Sequence, residues 1–174
     1  MPENTIITID AGNFSGWAQR FWKYSKAKTQ LAPTSGAMGY SIPAAISAKI
    51  AKKSSPVIAF CGDGGFMMSS QELATCNQYK IKPIIILLNN NMLGTIRMHQ
   101  EKHYPKRKIA SDLVNPNFKL LCKGYNAHYE NIKHSKKFSQ ALNRCLESNK
   151  AAVIEIEIDP KQITTRQRID KLKI

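Results

Sequence analysis

The chain has 174 residues, of which 43% are hydrophobic and 22% charged, the profile of an ordinary globular domain that can bury a sizeable core. Its formal net charge of +14 admits a nucleic acid, an anionic ligand or an acidic subunit as partner. The lysines are spread widely, and the densest groups (102–108, 133–137, 161–173) lack the interleaved aromatics of a single-strand binding groove, so we expect no nucleic acid. The longest apolar run near the middle, Ile84 to Leu88, is too short to span a membrane, and the first residues are unlike a signal peptide. We therefore expect no membrane contact and a cytoplasmic location.

Predicted strands alternate with predicted helices along the chain. Short β-branched or apolar runs indicate strands; in chain order they are Thr5 to Asp10, Pro56 to Cys61, Pro83 to Leu88, Ala127 to Glu130 and Ala152 to Ile158. Helices are predicted over Trp17 to Lys23, Ile42 to Lys52, Ser69 to Tyr79, Met92 to Gln100, Asn115-Pro116-Asn117 to Lys123, and Ser135 to Glu147. Ser69 or Ser70 is the expected cap of the third helix. The segment from His103 to Asn115 is basic and loop-like.

This alternation favours one fold class, a three-layer α/β/α domain with a mainly parallel sheet. We assign residues 1–160 to that domain. Residues 161–174 are polar, and we predict that they form a C-terminal arm or tail.

The four cysteines are Cys61, Cys76, Cys122 and Cys145, and they contain no Cys-x-x-Cys pair. Their spacing argues against a zinc ribbon, a thioredoxin-type motif and a disulfide framework. We expect them to be reduced and mostly buried.

Two of the predicted strands run directly into turn-forming residues with oxygen-bearing side chains. One is followed by Gly62-Asp63-Gly64-Gly65, and the next by Asn89-Asn90-Asn91. Parallel strands end at the same edge of a sheet, where open α/β sheets bind ligands, so we expect Asp63 and Asn90 to be neighbours. Carboxylate and amide oxygens suit a hard cation, and glycines let backbone amides approach a phosphate. A Gly-Asp-Gly turn without a ligand is the alternative for the first motif taken alone.

Six motifs follow one another in order along the chain. They are Ile9 to Trp17, Ser35 to Ala45, Gly62-Asp63-Gly64 with Asn90 27 residues after the aspartate (90 − 63), Gln71 to Thr75, Gly94 to Gln100, and Leu113 to Phe118. Together they resemble the C-terminal, diphosphate-binding (PP) domain of acetolactate-synthase-like enzymes, which include the acetohydroxyacid synthases. The resemblance covers nearly the whole chain. It implies the thiamine-diphosphate-binding fold, the cofactors thiamine diphosphate and Mg²⁺, and decarboxylation or carboligation of a 2-oxo acid substrate.

The resemblance also implies roles for particular residues. Asp63, the side chain of Asn90 and the backbone carbonyl of Met92 would bind Mg²⁺, and such oxygen ligands suit this ion. Gly36 and Met38 would contact the pyrimidine, with Met38 as the wedge that bends the cofactor. An ordinary core methionine is the alternative for Met38. Residues of the glycine-containing turns would surround the diphosphate; they are Gly12, Asn13, Gly62, Gly64, Gly65 and Gly94.

The substrate pocket is the place where this chain departs from the family pattern. Acetohydroxyacid synthases usually carry Met-Val-x-Gln-Trp after the metal motif, where this chain has Thr95-Ile96-Arg97-Met98-His99. The resemblance therefore implies no particular 2-oxo acid. Thr95 and His99 are candidates for orienting substrate, since an imidazole can hydrogen-bond a carboxylate or transfer a proton near neutral pH. A partly exposed helix histidine is the alternative for His99.

The family activates its cofactor with a glutamate from a separate pyrimidine-binding domain, and we find no residue of this chain that takes its place. The resemblance therefore implies a partner, a pyrimidine-binding domain or subunit that carries this glutamate, and a homo- or hetero-oligomer. It also implies that the isolated chain is inactive as an enzyme. A truncated or split-gene product that serves only as a cofactor-binding or scaffold module is the alternative.

Overall fold

The computed structural model describes residues 1–172, and within them six strands form one sheet in the order β2-β1-β3-β4-β6-β5. Every pairing between these strands is parallel. The strands are β1 (Ile6–Ile9), β2 (Gln30–Leu31), β3 (Val57–Gly62), β4 (Ile84–Asn89), β5 (His128–Ile132) and β6 (Ala152–Glu157). The predicted parallel α/β fold is confirmed, and only the short, exposed β2 was not predicted, because two residues carry no periodic signal.

Helices connect the strands throughout the described residues. They are α1 (Ser15–Phe21), α2 (Ser41–Ala51), α3 (Asp63–Ser69), α4 (Glu72–Tyr79), α5 (Gly94–His103), α6 (Phe118–Gly124) and α7 (Phe138–Glu147), with 3₁₀ turns at Ser135–Lys137 and Ile169–Lys171. Across residues 1–172, none of the helices combines the length and the apolar character that crossing a membrane requires.

The sheet is buried on both faces because its central strands are continuous apolar runs. Side chains alternate along each strand, so Ile85 packs on one face with helices α2, α3, α4 and α6, and its neighbour Ile84 packs on the other with α1 and α7. On the first face, Phe66 of α3 meets Phe118 of α6 edge to face, with ring centroids 5.4 Å apart. The architecture is therefore three layers, as predicted.

The crossover between β3 and β4 differs from the prediction. The chain becomes helical at once at Asp63, and the helix is interrupted between Ser69 and Glu72. The predicted serine cap is wrong, because Ser69 is the last residue of α3 and its hydroxyl donates to the Gly65 carbonyl at 3.5 Å. The N-cap of α4 is Gln71, with no side-chain capping bond. An early helix start places the Asp63 carboxylate in the first turn, where free N–H groups favour negative charge.

All four cysteines are free and buried, as predicted. Burial raises the pKa of Cys76, Cys122 and Cys145 to about 12. Thiols in this state behave as small apolar core residues and not as nucleophiles.

The segment after residue 160, predicted as an arm, folds against the domain in the part that the structure describes. Ile163 is only 3% exposed. The Ile169 backbone N–H donates to the Lys161 carbonyl at 2.7 Å, and Arg168 pairs with Asp159 at 2.7 Å. The boundary at residue 160 stays a prediction, and residues 173 and 174 of the arm lie outside the described residues.

Candidate functional site

The carboxyl ends of β1, β3 and β4 lie side by side at one edge of the sheet. In the register of the sheet, Ile9 lies opposite Phe60, and Gly62 lies opposite Leu88. The residues that follow these strands therefore emerge together. They line one cavity of about 570 Å³, within the usual size range of small-molecule and cofactor sites.

Nearly every residue predicted for the site lines this cavity. The lining includes Gly12, Asn13, Gly36, Met38, Gly62, Asp63, Gly64, Gly65, Asn90, Met92, Gly94 and Thr95. His99 does not. It lies on the exposed side of α5, its ring stacked on His103 with centroids 6.2 Å apart. A substrate role for His99 stays a prediction, and the geometry does not bring it into the cavity.

Asp63 is a buried carboxylate of the site, with 2% exposure. Its Oδ2 accepts a hydrogen bond from the Asn115 amide at 2.7 Å. Burial raises the pKa of Asp63, opposed by this bond and by backbone amides. A buried carboxylate of this kind is stabilised by a cation. Among the described residues no cluster of three or more His, Cys, Asp or Glu side chains could hold a metal, so the donors here are one carboxylate plus amide and carbonyl oxygens. That set fits Mg²⁺, which takes few protein ligands and completes its octahedron with water and phosphate.

The turn that carries Asn90 and Met92 is held in shape by a second loop. Asn91 takes a left-handed conformation, with φ of 54°, which asparagine tolerates better than most residues. The Asn90 side-chain oxygen accepts from the Met92 N–H at 3.3 Å. The segment 111–115, which we call the 111–115 loop, pairs with the turn: Leu113 N–H donates to the Asn91 carbonyl at 2.8 Å. The proposed amide and carbonyl ligands thus stand on a braced turn.

Bare backbone faces the cavity at the start of α3. A Cβ on Gly64 would lie 2.9 Å from Leu93 Cδ2, and a Cβ on Gly65 would lie 2.5 Å from Asp10 Oδ2. A side chain has no room at either position, so both require glycine, and both glycines line the cavity. Met38 is 38% exposed, and its Cε reaches the position of Gly64. That exposure favours a position for Met38 in the site over one in the core.

Asp10 is a site residue that sequence reasoning did not select. It directly follows β1, is 2% exposed, and accepts from the backbone N–H groups of Ala11 (2.8 Å), Gly39 (3.0 Å) and Tyr40 (3.3 Å). Burial raises the pKa of Asp10, and these three bonds oppose the shift. The carboxylate thereby ties the first turn to the loop that carries Met38. An acid directly after a buried strand, the signal that selected the metal motif, was also present here.

Comparison with known proteins is consistent with this geometry. The model of the family described as "Thiamine pyrophosphate enzyme, C-terminal TPP binding domain" matches residues 10–156. The chain is 36% identical over 162 residues to a probable acetolactate synthase large subunit of Methanocaldococcus jannaschii, covering 92% of this chain and 27% of that protein. It is 35% identical over 161 residues to the acetolactate synthase large subunit of Lactococcus lactis subsp. lactis, covering 91% and 28%. The chain thus spans little more than a quarter of the length of these relatives.

A solved structure supports the same fold. The thiamine diphosphate-dependent 4-hydroxybenzoylformate decarboxylase of Rhodococcus jostii RHA1 superimposes with a TM-score of 0.84 at 25% sequence identity. The match covers 91% of this chain and 30% of that one. The similarity therefore extends over almost all of the layers described above.

Proposed function

This chain belongs to the family of C-terminal, thiamine-pyrophosphate-binding domains of thiamine pyrophosphate enzymes, and from that premise we propose that it positions thiamine diphosphate and Mg²⁺ for an acetolactate-synthase-like enzyme acting on 2-oxo acids. One observation carries the proposal. Asp63, Asn90 and the glycine-containing turns, which are far apart in sequence, converge on a single cavity of about 570 Å³.

The proposed Mg²⁺ ligands are the Asp63 carboxylate, the Asn90 amide oxygen and the Met92 carbonyl. All three residues line the cavity. Their oxygens match the preference of Mg²⁺, and diphosphate oxygens would fill further positions. A cation here also offsets the cost of burying Asp63.

The remaining lining residues would hold the organic cofactor. The turns that contain Gly12, Gly64 and Gly94 offer bare backbone to the diphosphate, and Met38 supports the bent cofactor from the pyrimidine side. When bound, thiamine diphosphate supplies the electron sink for breaking the bond to the carboxylate of a 2-oxo acid. The protein's task in this chain is to bind and orient.

Thr95 is the stronger of the two candidates for orienting substrate. Its hydroxyl accepts from the Asn13 N–H at 3.1 Å, which fastens the first turn to α5 beside the cavity. His99 is exposed on the same helix. A substrate role for His99 requires a further protein surface that closes over α5.

We also propose that the activating glutamate comes from a pyrimidine-binding domain outside this chain, in a homo- or hetero-oligomer, and that the isolated chain does not turn over. Exposed apolar side chains at the cavity and on the adjoining helix α3 support a covering partner: Met38 (38%) lines the cavity, and Met67 (41%) and Met68 (57%) lie on α3. A Cβ on Gly39, next to Met38, would lie 3.1 Å from Met68 Cβ, so Met68 lies beside the loop that carries Met38.

Equilibrium dialysis with thiamine diphosphate tests the metal assignment. The wild-type chain should bind the cofactor only with Mg²⁺. In Asp63→Ala, adding Mg²⁺ should no longer strengthen cofactor binding. Binding by Asp63→Ala of unchanged strength and unchanged magnesium dependence would refute the assignment.

Decarboxylation of 2-oxo acids, measured with and without a co-expressed pyrimidine-domain protein, tests the catalytic role. We expect turnover only with the partner. No turnover in either case favours the second candidate, a binding or scaffold module.

A further inference from the structure

A chain of hydrogen-bonded side chains leads from Asp63 across the sheet to β5. The Asn115 amide donates to Asp63 Oδ2 at 2.7 Å and lies 3.1 Å from Asn89 Oδ1. The Asn89 amide donates to Glu155 Oε1 at 2.7 Å, and the Tyr129 hydroxyl donates to Glu155 Oε2. We call these five residues the polar line. It joins the 111–115 loop and strands β4, β5 and β6 to the proposed metal carboxylate.

Three of the five residues in the polar line are buried, and Asn115 and Tyr129 are partly exposed. Asp63, Asn89 and Glu155 are 2%, 8% and 7% exposed. Polar groups at such depth are costly unless they are paired. Both oxygens of Glu155 have a donor, and both ends of the Asn89 amide have a partner. The line is therefore a defined arrangement, in which each member limits the orientation of the next.

The orientation of the Asn115 amide follows from its neighbours. Its nitrogen lies near three oxygens, those of Asp63, Asn89 and Asn91, at 2.7, 3.1 and 3.1 Å. A flipped amide would set its own oxygen against these acceptors, so the NH₂ group must face Asp63. Asn89 is in turn held by Glu155, which removes the freedom of that acceptor to turn away.

We propose that Asn115 is a positioning residue for the Asp63 carboxylate, the proposed Mg²⁺ ligand. Asn89, Glu155 and Tyr129 hold the side-chain amide of Asn115 in its orientation. The inference rests on the proposed function, because it concerns the same Mg²⁺ site. A carboxylate whose Oδ2 is already held by a donor has lost rotational freedom before the metal arrives. Preorganisation of this kind lowers the cost of binding, and removing such an outer partner typically weakens metal affinity 10- to 100-fold.

The test is a Mg²⁺ titration of the full chain at saturating thiamine diphosphate, with bound cofactor measured by equilibrium dialysis. Asn115→Ala should raise the half-saturating Mg²⁺ concentration roughly 10- to 100-fold. Asn117→Ala is the matched control. Asn117 lies two residues further on and caps α6 by accepting from the Leu120 N–H at 3.1 Å. Its loss should lower the urea midpoint and leave the Mg²⁺ titration within about twofold of wild type.

Two substitutions of Glu155 test the rest of the line. In Glu155→Gln the new amide oxygen can accept from Asn89 and its nitrogen can donate to the Tyr129 oxygen, so Mg²⁺ affinity should stay near that of wild type. Glu155→Leu leaves the Asn89 N–H group without an acceptor, and Mg²⁺ affinity should fall. If Glu155→Leu and Glu155→Gln have equal half-saturating Mg²⁺ concentrations, the proposed role of Asn89, Glu155 and Tyr129 is wrong.

The outcomes separate the inference from the proposed function. A wild-type chain that binds cofactor without magnesium dependence refutes both. The inference alone is refuted if the wild-type chain binds cofactor in a magnesium-dependent way but Asn115→Ala and Asn117→Ala have the same half-saturating Mg²⁺ concentration.

Discussion

Gly65→Ala tests whether the contact between α3 and Asp10 holds the loop that carries Met38. An added Cβ would lie 2.5 Å from Asp10 Oδ2 and 3.2 Å from its Cγ. The carboxylate cannot retreat without lengthening its bonds to the Gly39 and Tyr40 N–H groups, now 3.0 and 3.3 Å. The substitution therefore either pushes α3 away from Asp10 or weakens the hydrogen bonds between Asp10 and the loop that carries Met38.

The magnitude follows from three opposing effects. Alanine in a helix is favoured over glycine by about 1 kcal/mol. Overpacking a close contact costs about 1–3 kcal/mol, and a weakened hydrogen bond to a buried charge costs about 1.5–3 kcal/mol. We expect Gly65→Ala to lower the free energy of unfolding by roughly 2–4 kcal/mol, since the two costs together exceed the gain.

Urea denaturation followed by circular dichroism measures this change, with Gly124→Ala as the control. Gly124 is also helical, but an added Cβ meets no atom within 4 Å. The control should be neutral or stabilised by up to about 1 kcal/mol. A Gly65→Ala chain as stable as the control would refute the reasoning. The cost of Gly65→Ala should also shrink in an Asp10→Ala background, because the contacting carboxylate is then gone.

Two further predictions concern charge burial and the segment after residue 160. Burial raises the pKa of Asp63 above its ordinary 3.8, which favours the protonated carboxyl in the folded chain. The resulting stabilisation is fully present below pH 3.8 and is lost as pH rises through the raised pKa of the folded state. Without Mg²⁺, Asp63→Asn should therefore be more stable than wild type at pH 7, and urea denaturation should show the difference shrinking as pH falls from 7 and gone below about pH 4; a pH-independent difference would contradict this. Ile163→Ala, at a side chain 3% exposed, should cost about 2–4 kcal/mol, and Ile109→Ala, at one 75% exposed, less than about 0.5 kcal/mol. Equal urea midpoints would mean that the segment packs only loosely and would favour the predicted boundary.

Much of the site could be predicted because its signals are local. A buried parallel strand is a short apolar run, and the residue after it lies at the sheet edge whatever the rest of the chain does. Asp63 and Asn90 were found in this way. Asp10 carried the same signal, and its partners at Gly39 and Tyr40 lie in a loop whose path no local pattern encodes.

The sequence by itself determined the parallel α/β fold and the strand ends, since periodicity and turn residues express local preferences of the backbone. Tertiary structure alone decided which side chains meet. Asn115, which the sequence placed in a motif and at a helix start but not among the site residues, reaches Asp63 across 52 positions. His99, chosen from its place in a motif, lies instead on the exposed face of α5. Contacts of this kind depend on the packing of distant segments, because the direction of a side chain is settled by the neighbours that the folded chain brings to it.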